Sequence, residues 1–108
     1  MIDIHVFTIP RGKQRYNTSG DWQWQGNKLT VAVDERDNLR DEMLIAIHEI
    51  VEAFLCRMHG IEEKDVTKFD MDLDRTNPDL EPGDQANAPY HKEHKIASLI
   101  ENFLIQFL

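Results

Sequence analysis

The chain has 108 residues, one cysteine and a formal net charge of −8, which excludes an intramolecular disulfide and disfavours general affinity for nucleic-acid phosphates. Its 41% hydrophobic residues suffice for one modest core, so we predict a single domain over residues 1–108. The N-terminus lacks the features of a signal peptide, and no segment approaches the roughly 18 apolar residues that span a bilayer. Together with the single cysteine, this leads us to expect a cytoplasmic protein.

The first half of the chain shows the alternation that is typical of β-strands. IDIHVFTI (2–9) alternates apolar residues and ends at Pro10, so it is predicted to be a strand. WQW (22–24) and KLTVAV (28–33) flank the turn residues QGN and are predicted to form a hairpin. The sequence therefore predicts a small, mostly antiparallel sheet of about three strands.

The second half is predicted to be helical. A first helix begins at a cap formed by Asp37 or Asn38, runs to about His59 and stops at Gly60. Its apolar residues recur every three or four positions and predict a core-facing stripe. That stripe comprises Leu39, Met43, Ile47, Ile50, Val51, Phe54 and Met58.

The remaining elements are a short helix around 61–69, a long loop over 70–89 and a C-terminal amphipathic helix after Pro89. The apolar residues of that last helix are Ile96, Leu99, Ile100, Phe103, Leu104 and Phe107. We predict an α+β fold, in which the small sheet packs on the long first helix and on the C-terminal helix.

The segment HEIVE (48–52) differs from the zinc-protease motif H-E-x-x-H in its last residue. His48 and Glu52 lie one helical turn apart on the same face, so they can supply two metal ligands. Glu49 occupies the place where the zinc-protease motif has the general base that takes a proton from water. The alternative is an ordinary helix with a solvated flank of one histidine and two acids.

A third ligand is expected from HKEH (91–94) at the start of the C-terminal helix. His94 is the favoured candidate because it lies deeper in the helix, and His91 is the alternative. Glu101 lies two turns further along and could accept the second imidazole proton of a ligand, as carboxylates behind metal ligands do. Asp70 is a further candidate, as an extra ligand or as a supporting group.

Three other features have a simple structural interpretation. The acidic segment 70–81 resembles a calcium loop in its spacing, but Arg75 stands where the turn needs glycine, so a solvated acidic loop is preferred. Cys56 is a conceivable metal ligand, but a lone cysteine in such a segment is more often a small buried hydrophobic residue. Trp22 and Trp24 share one side of a strand, where core cover is preferred to a peptide-binding wall.

The segment from SGDWQWQG to HEIVEAFLC, followed by PGDQANAPYHKEHKIASLIENFL, resembles a group of small uncharacterised phage and prophage proteins. The resemblance covers roughly 19–104 and pairs H-E-x-x-E with P-Y-H-x-x-H. The matching residues are His48, Glu49, Glu52, Pro89, Tyr90, His91, His94 and Glu101. The chain also looks, more weakly, like a minimal zincin, which implies a small sheet behind a metal-site helix.

Three functions fit these observations. The first is a zinc-dependent hydrolase of the zincin kind with about one Zn²⁺ per chain, acting on a peptide or amide bond. A sheet edge could hold its extended substrate by strand addition. The second is a Mg²⁺- or Mn²⁺-dependent nucleotide-phosphate hydrolase, although no basic cluster for phosphate is present. The third is a phage accessory protein that binds a host protein and has a structural metal or none. The sequence leaves the oligomeric state open.

Overall fold

The computed structural model describes all 108 residues of the chain. Its strands are β1 (Asp3–Ile9), β2 (Gly20–Gln25) and β3 (Lys28–Asp34). Its helices are α1 (Leu39–Met58), α2 (Glu63–Thr76) and α3 (His91–Ile105), with a short 3-10 helix at Pro82–Asp84 before α3. The predicted α+β class and the small sheet of three strands are confirmed.

The sheet has the order β1-β3-β2 and is mixed. β2 and β3 form the predicted antiparallel hairpin, and Gly26 in its turn has a positive φ of 61°. β1, however, pairs with β3 in parallel, so the prediction of a mostly antiparallel sheet was wrong for this strand. The reason is that β3, whose Leu29, Val31 and Val33 are the most deeply buried strand residues, takes the central place, whereas alternation alone does not specify which strands are neighbours.

The core lies between α1 and the two strands β2 and β3. Leu29, Val31 and Val33 of β3 are at most 1% exposed and pack with the buried Ala53 and Cys56 of α1. The thiol of Cys56 is thus a buried core group, as predicted. Burial raises the pKa of this thiol, which makes it a poor nucleophile or ligand.

Helix α1 has the predicted limits but not the predicted core stripe. Asn38 accepts a hydrogen bond from the Asp41 N–H at 2.9 Å and caps the helix. Leu39 and Met58, at the two ends, are 70% and 75% exposed, and Met43 is also exposed, so this part of the prediction was wrong. A helix of 20 residues is about 30 Å long, whereas strands of six or seven residues span about 20 Å, so its ends project beyond the sheet.

Helix α2 extends further than predicted, because residues 70–76 are helical and not part of a loop. Asp72 pairs with Lys68 one turn earlier, at 2.7 Å, and with Arg75 on the following turn, and such pairs favour a helix. The helical conformation of this segment also excludes a calcium loop there.

Helix α3 packs along α1 and closes the side of the fold that carries the histidines. Its buried line contains Glu93, His94 and Ala97, whereas most of its large apolar residues face outward. None of the helices combines the length and the hydrophobicity that crossing a membrane requires.

The two kinds of apolar position predict different mutational effects. Leu29→Ala, at a fully buried site, should lower the free energy of unfolding by about 3 kcal/mol. Met58→Ala is the matched control and should change it by less than about 0.5 kcal/mol, because Met58 is exposed. Urea denaturation followed by circular dichroism measures both, and equal losses would contradict the assignment of the core.

Candidate metal centre

Three side chains from two helices converge on one point. The Nε2 atom of His48 and the Nδ1 atom of His94 lie 3.3 Å apart. The Oε2 atom of Glu52 lies 3.2 Å from the former and 2.9 Å from the latter. The four-residue spacing in α1 places His48 and Glu52 on one face, and the packing of α3 on α1 brings His94 to the same point.

The size of this triangle fits a zinc ion. Zinc is bound tetrahedrally at about 2.0–2.1 Å from nitrogen and oxygen donors, so neighbouring donors lie about 3.3 Å apart. The distances within the His48–Glu52–His94 triangle are 2.9–3.3 Å, close to one face of such a tetrahedron. These three residues could therefore hold a metal ion with little movement.

The outer nitrogen of each imidazole is also held by a carboxylate. His48 Nδ1 lies 2.9 Å from Oε1 of Glu101, and His94 Nε2 lies 3.1 Å from Oδ1 of Asp84. When these outer nitrogens donate their protons to the carboxylates, both inner nitrogens carry lone pairs. This tautomer assignment follows from the hydrogen-bond network. Two lone pairs and a carboxylate oxygen then meet at one point, which calls for a cation.

Burial and hydrogen bonding shift the pKa values of both imidazoles in the metal-free protein. Burial lowers the pKa of His48, but its hydrogen bonds to Glu101 and Glu52 outweigh burial and raise the pKa to about 10. The pKa of His94 is also raised: burial lowers it, and the hydrogen bond to Glu52 more than compensates. The raised pKa values favour a proton at this point in the metal-free protein, and metal binding would have to displace it.

Glu52 is fixed from a third direction. The indole N–H of Trp22 donates a hydrogen bond of 2.9 Å to its second oxygen, Oε1. Burial raises the pKa of Glu52, but the hydrogen bonds from His48 and His94 bring it below its ordinary value. Trp22 is thus core cover and also a support for the ligand carboxylate. Trp24 is half-buried against Phe54, and both indoles also line a surface groove of about 380 Å³.

Glu49 lies next to this triangle but outside it. Its side chain is 8% exposed, and no protein group donates a hydrogen bond to its carboxylate. Burial raises the pKa of Glu49 well above the ordinary value, and the neighbouring charge of Glu52 raises it further. The backbone of Gly20 packs directly on this carboxylate. A carboxylate that is buried, unpaired and raised in pKa is typical of a catalytic acid or base.

The carboxylate of Glu49 faces a small polar cavity of about 30 Å³, which offers room for about one or two water molecules. His48, Glu52 and His94 line the same cavity. Five further carboxylates stand around these ligands: Asp21, Glu49, Glu63, Asp70 and Glu81. The cavity therefore suits a cation and water, not an apolar ligand.

Asp70 lines the cavity but does not belong to the ligand triangle. The hydroxyl groups of Tyr16 and Tyr90 donate hydrogen bonds of 2.8 and 2.6 Å to its two oxygens. Burial raises the pKa of Asp70 to about 6, although these two hydrogen bonds oppose the shift. The contact with Tyr16 could not be inferred from the sequence, because the two residues are 54 positions apart.

His91 points away from the triangle. Its Nδ1 atom lies 2.9 Å from the carbonyl oxygen of Gly83, so it supports the 3-10 helix that carries Asp84. Gly83 itself packs on the imidazole of His94, where any side chain would overlap with the ring. The roles of Gly83 and Asp84 could not be inferred from spacing, because they depend on how the loop before α3 folds back.

Comparison of the chain with protein-family models, with curated proteins and with solved structures finds no match.

Two glycines provide a matched pair of variants. Gly83→Ala should displace the His94 ring and lower zinc affinity by at least about tenfold, the lower bound for disturbing groups that orient a ligand. Gly20→Ala should displace Glu49 and leave zinc affinity nearly unchanged. Competition with a chromophoric chelator measures both affinities, and circular dichroism confirms folding. Equal losses of zinc affinity in the two variants would contradict the assignment of His94 as a ligand and of Glu49 as a base that does not bind the metal.

The raised pKa of His48 predicts how the stability of the metal-free protein depends on pH. Its folded-state pKa of about 10 lies above the ordinary 6.5, so its contribution is complete below about pH 6.5 and is lost as the pH rises to 10. The free energy of unfolding should fall over this range in the wild type. His48→Gln has no proton to lose at this position and should show a smaller fall. Denaturation curves in chelator at pH 6.5, 8 and 10 measure the slope, and identical slopes would refute the shift.

Proposed function

We propose that this protein binds one zinc ion through His48, Glu52 and His94, and that it is a zincin-like hydrolase of peptide or amide bonds. The observation that carries the proposal is the triangle of two imidazole nitrogens and one carboxylate oxygen, each nitrogen backed by a further carboxylate. Three protein ligands are typical of catalytic zinc sites, since they leave a fourth position for water or substrate. We place the protein in the cytoplasm, where its one buried thiol needs no disulfide partner.

The donor set favours zinc over the alternative ions. Imidazole nitrogen is a common ligand of zinc, whereas Mg²⁺ prefers carboxylate, carbonyl and water oxygens. Two of the three convergent donors are imidazoles. The Mg²⁺- or Mn²⁺-dependent nucleotide hydrolase is less favoured, because no lysine or arginine lines the small cavity at the triangle, and Arg11 and Arg36 line only a larger groove beside it.

Each residue of the site has a distinct role in the proposed hydrolysis. Zinc, when bound, supplies a Lewis acid that polarises a carbonyl group and lowers the pKa of water. Glu49 takes a proton from the attacking water and later delivers it to the leaving amine. It can do both because it is unpaired and because its raised pKa brings proton exchange closer to neutral pH. Glu101 and Asp84 hold the ligand imidazoles in the required tautomers.

The outer edge of β2 is a poor place for an extended substrate. The backbone N–H of Trp24, which faces this edge, already donates a hydrogen bond of 2.6 Å to Oε1 of Glu63. The Gly20 carbonyl accepts a hydrogen bond of 2.8 Å from the Thr18 hydroxyl. These side-chain contacts cap the edge at both ends, so the sequence-based idea of strand addition there lacks structural support.

A polar groove of about 750 Å³ offers a different route to the metal centre. Its walls are formed by residues 11–19 and 78–81 together with Asp34 and Arg36. Tyr16, Thr18 and Glu81 line both the groove and the small cavity at the proposed metal site. The Asn17 side chain donates a hydrogen bond of 2.9 Å to the Pro78 carbonyl and ties the two walls together. We propose that substrate enters through this groove when the walls separate.

The second candidate is a phage accessory protein that uses a structural metal and binds a host protein. The observation that favours it is the size of the cavity at the metal site, about 30 Å³, which has no room for a peptide in this conformation. The two candidates differ in whether the metal has an exchangeable position and whether Glu49 matters. A structural metal requires neither.

Metal content and hydrolysis in matched variants test the proposal. Protein purified without a histidine tag should contain about one zinc per chain, and His48→Ala should lose it, because three protein ligands are needed. Glu52→Gln should retain less zinc, since a neutral amide is a poor ligand. Glu49→Gln should keep the zinc and lose hydrolysis of a quenched-fluorescent peptide library, because it removes a base and not a donor.

His91→Ala is the control for His94→Ala. It should keep most of the metal, whereas His94→Ala should lower zinc affinity by at least about tenfold and Glu101→Ala by a smaller factor. Negligible zinc in the wild type, or zinc unchanged in His48→Ala, would refute the metal site. Zinc bound as proposed, with no hydrolysis by the wild type, would favour the structural metal.

A further inference from the structure

Strand β1 is a long, unguarded edge of the sheet. It pairs with β3 on one side without a bulge, from Asp3 opposite Lys28 to Ile9 opposite Asp34, and no strand covers its other side. Proteins usually protect such an edge with proline, lysine, a bulge or a short strand length. β1 has seven residues, and none of them is proline or lysine.

The inner face of β1 is also uncovered. Ile4 and Val6 are register partners of Leu29 and Val31, so they lie on the same side of the sheet as these core residues. Leu29 and Val31 are 0% exposed, whereas Ile4 and Val6 are 39% and 47% exposed. The layer formed by α1 therefore ends one strand short of the sheet edge and leaves apolar side chains in water.

The backbone N–H and C=O groups of β1 that point away from β3 belong to alternate residues. The Asp3 N–H donates to the Asn27 carbonyl, and the Ile9 carbonyl accepts from the Glu35 N–H, so these two residues face β3. Because N–H and C=O groups alternate between the two sides of a strand, the outward groups belong to Ile4, Val6 and Thr8. These groups require an extended partner strand, not a helix.

We propose that two copies of this chain pair through β1 in antiparallel fashion about a twofold axis at Val6. In that register Val6 lies opposite Val6 of the partner subunit, and Ile4 lies opposite Thr8 of the partner subunit. Every outward N–H and C=O of the three residues then has a partner, and a continuous sheet runs through both copies. The arrangement is isologous, as in most symmetric dimers.

The charge along this edge favours a second copy as the partner. Residues 1–13 contain Arg11, Lys13 and Asp3, a formal charge of 2 − 1 = +1, whereas the whole chain carries −8. Two copies can therefore meet along β1 with less repulsion than along the acidic remainder of the surface. Antiparallel pairing also brings the acidic end of one strand towards the basic end of the other.

Helix α3 and the residues that follow it carry a different apolar surface, with Leu99, Phe103 and Phe107 60–69% exposed. Its backbone groups are satisfied within the helix, and nothing in the structure identifies what would cover it. It serves as the control surface.

The molar mass of the full chain, from analytical ultracentrifugation over a range of concentrations, tests the pairing. The wild type should form a dimer. Val6→Lys should be monomeric, because it places two like charges opposite each other at the axis. Phe103→Lys should remain dimeric. A wild type that is monomeric at its highest soluble concentration, a dimeric Val6→Lys, or a monomeric Phe103→Lys would overturn the proposal.

Cross-linking tests the register. Hydrogen-bonded antiparallel partners have Cα atoms about 5.5 Å apart, within the range of a disulfide, so Val6→Cys should form a disulfide-linked dimer under mild oxidation. Ile4→Cys should not, since the two substituted positions would be four residues, about 13 Å, apart along the strands. Cys56 is buried and should not interfere. Faster cross-linking of Ile4→Cys than of Val6→Cys would refute the twofold at Val6.

Discussion

Two imidazole nitrogens and a carboxylate oxygen, held within 3.3 Å of one another in a buried site, need a positive charge between them. Much of the architecture serves to hold these groups together. Helix α1 supplies two of them, and α3 must pack along α1 to supply the third. The loop between α2 and α3 must fold back so that Asp84 reaches His94. Without a cation, the convergence of these groups would cost free energy through desolvation and repulsion.

The same requirement explains why the middle of α1 is unusually polar for a core helix. Glu49 and Glu52 are both buried on a helix that also packs on the sheet. Glu52 accepts a hydrogen bond from the Trp22 indole and contacts both histidines, whereas no group donates a hydrogen bond to Glu49. An uncompensated buried carboxylate is destabilising, and proteins retain such groups mainly where function needs them. This asymmetry separates the ligand role proposed for Glu52 from the catalytic role proposed for Glu49.

The sequence predicted the helices and strands better than it predicted the contacts between them. The spacing of His48 and Glu52, and the position of His94 near the start of a helix, were sufficient to suggest that these residues meet, and the structure brings them together. The parallel pairing of β1 was not predictable, because alternation specifies a face and not a neighbour. The length of α2 was underestimated because its aspartates look like loop residues until their pairing with Lys68 and Arg75 is known. Asp84, Gly83 and Tyr16 were missed because their contacts depend on tertiary folding.

The most direct test of the metal centre is crystallographic. Crystals grown with zinc and measured on both sides of the zinc absorption edge should show one strong anomalous peak per chain, about 2 Å from His48 Nε2, His94 Nδ1 and a Glu52 oxygen. The side chain of Glu49 should lie near this peak but not bind the ion. A peak elsewhere, for example at the His59–Glu93 pair, would contradict the account, as would the absence of any peak at the triangle.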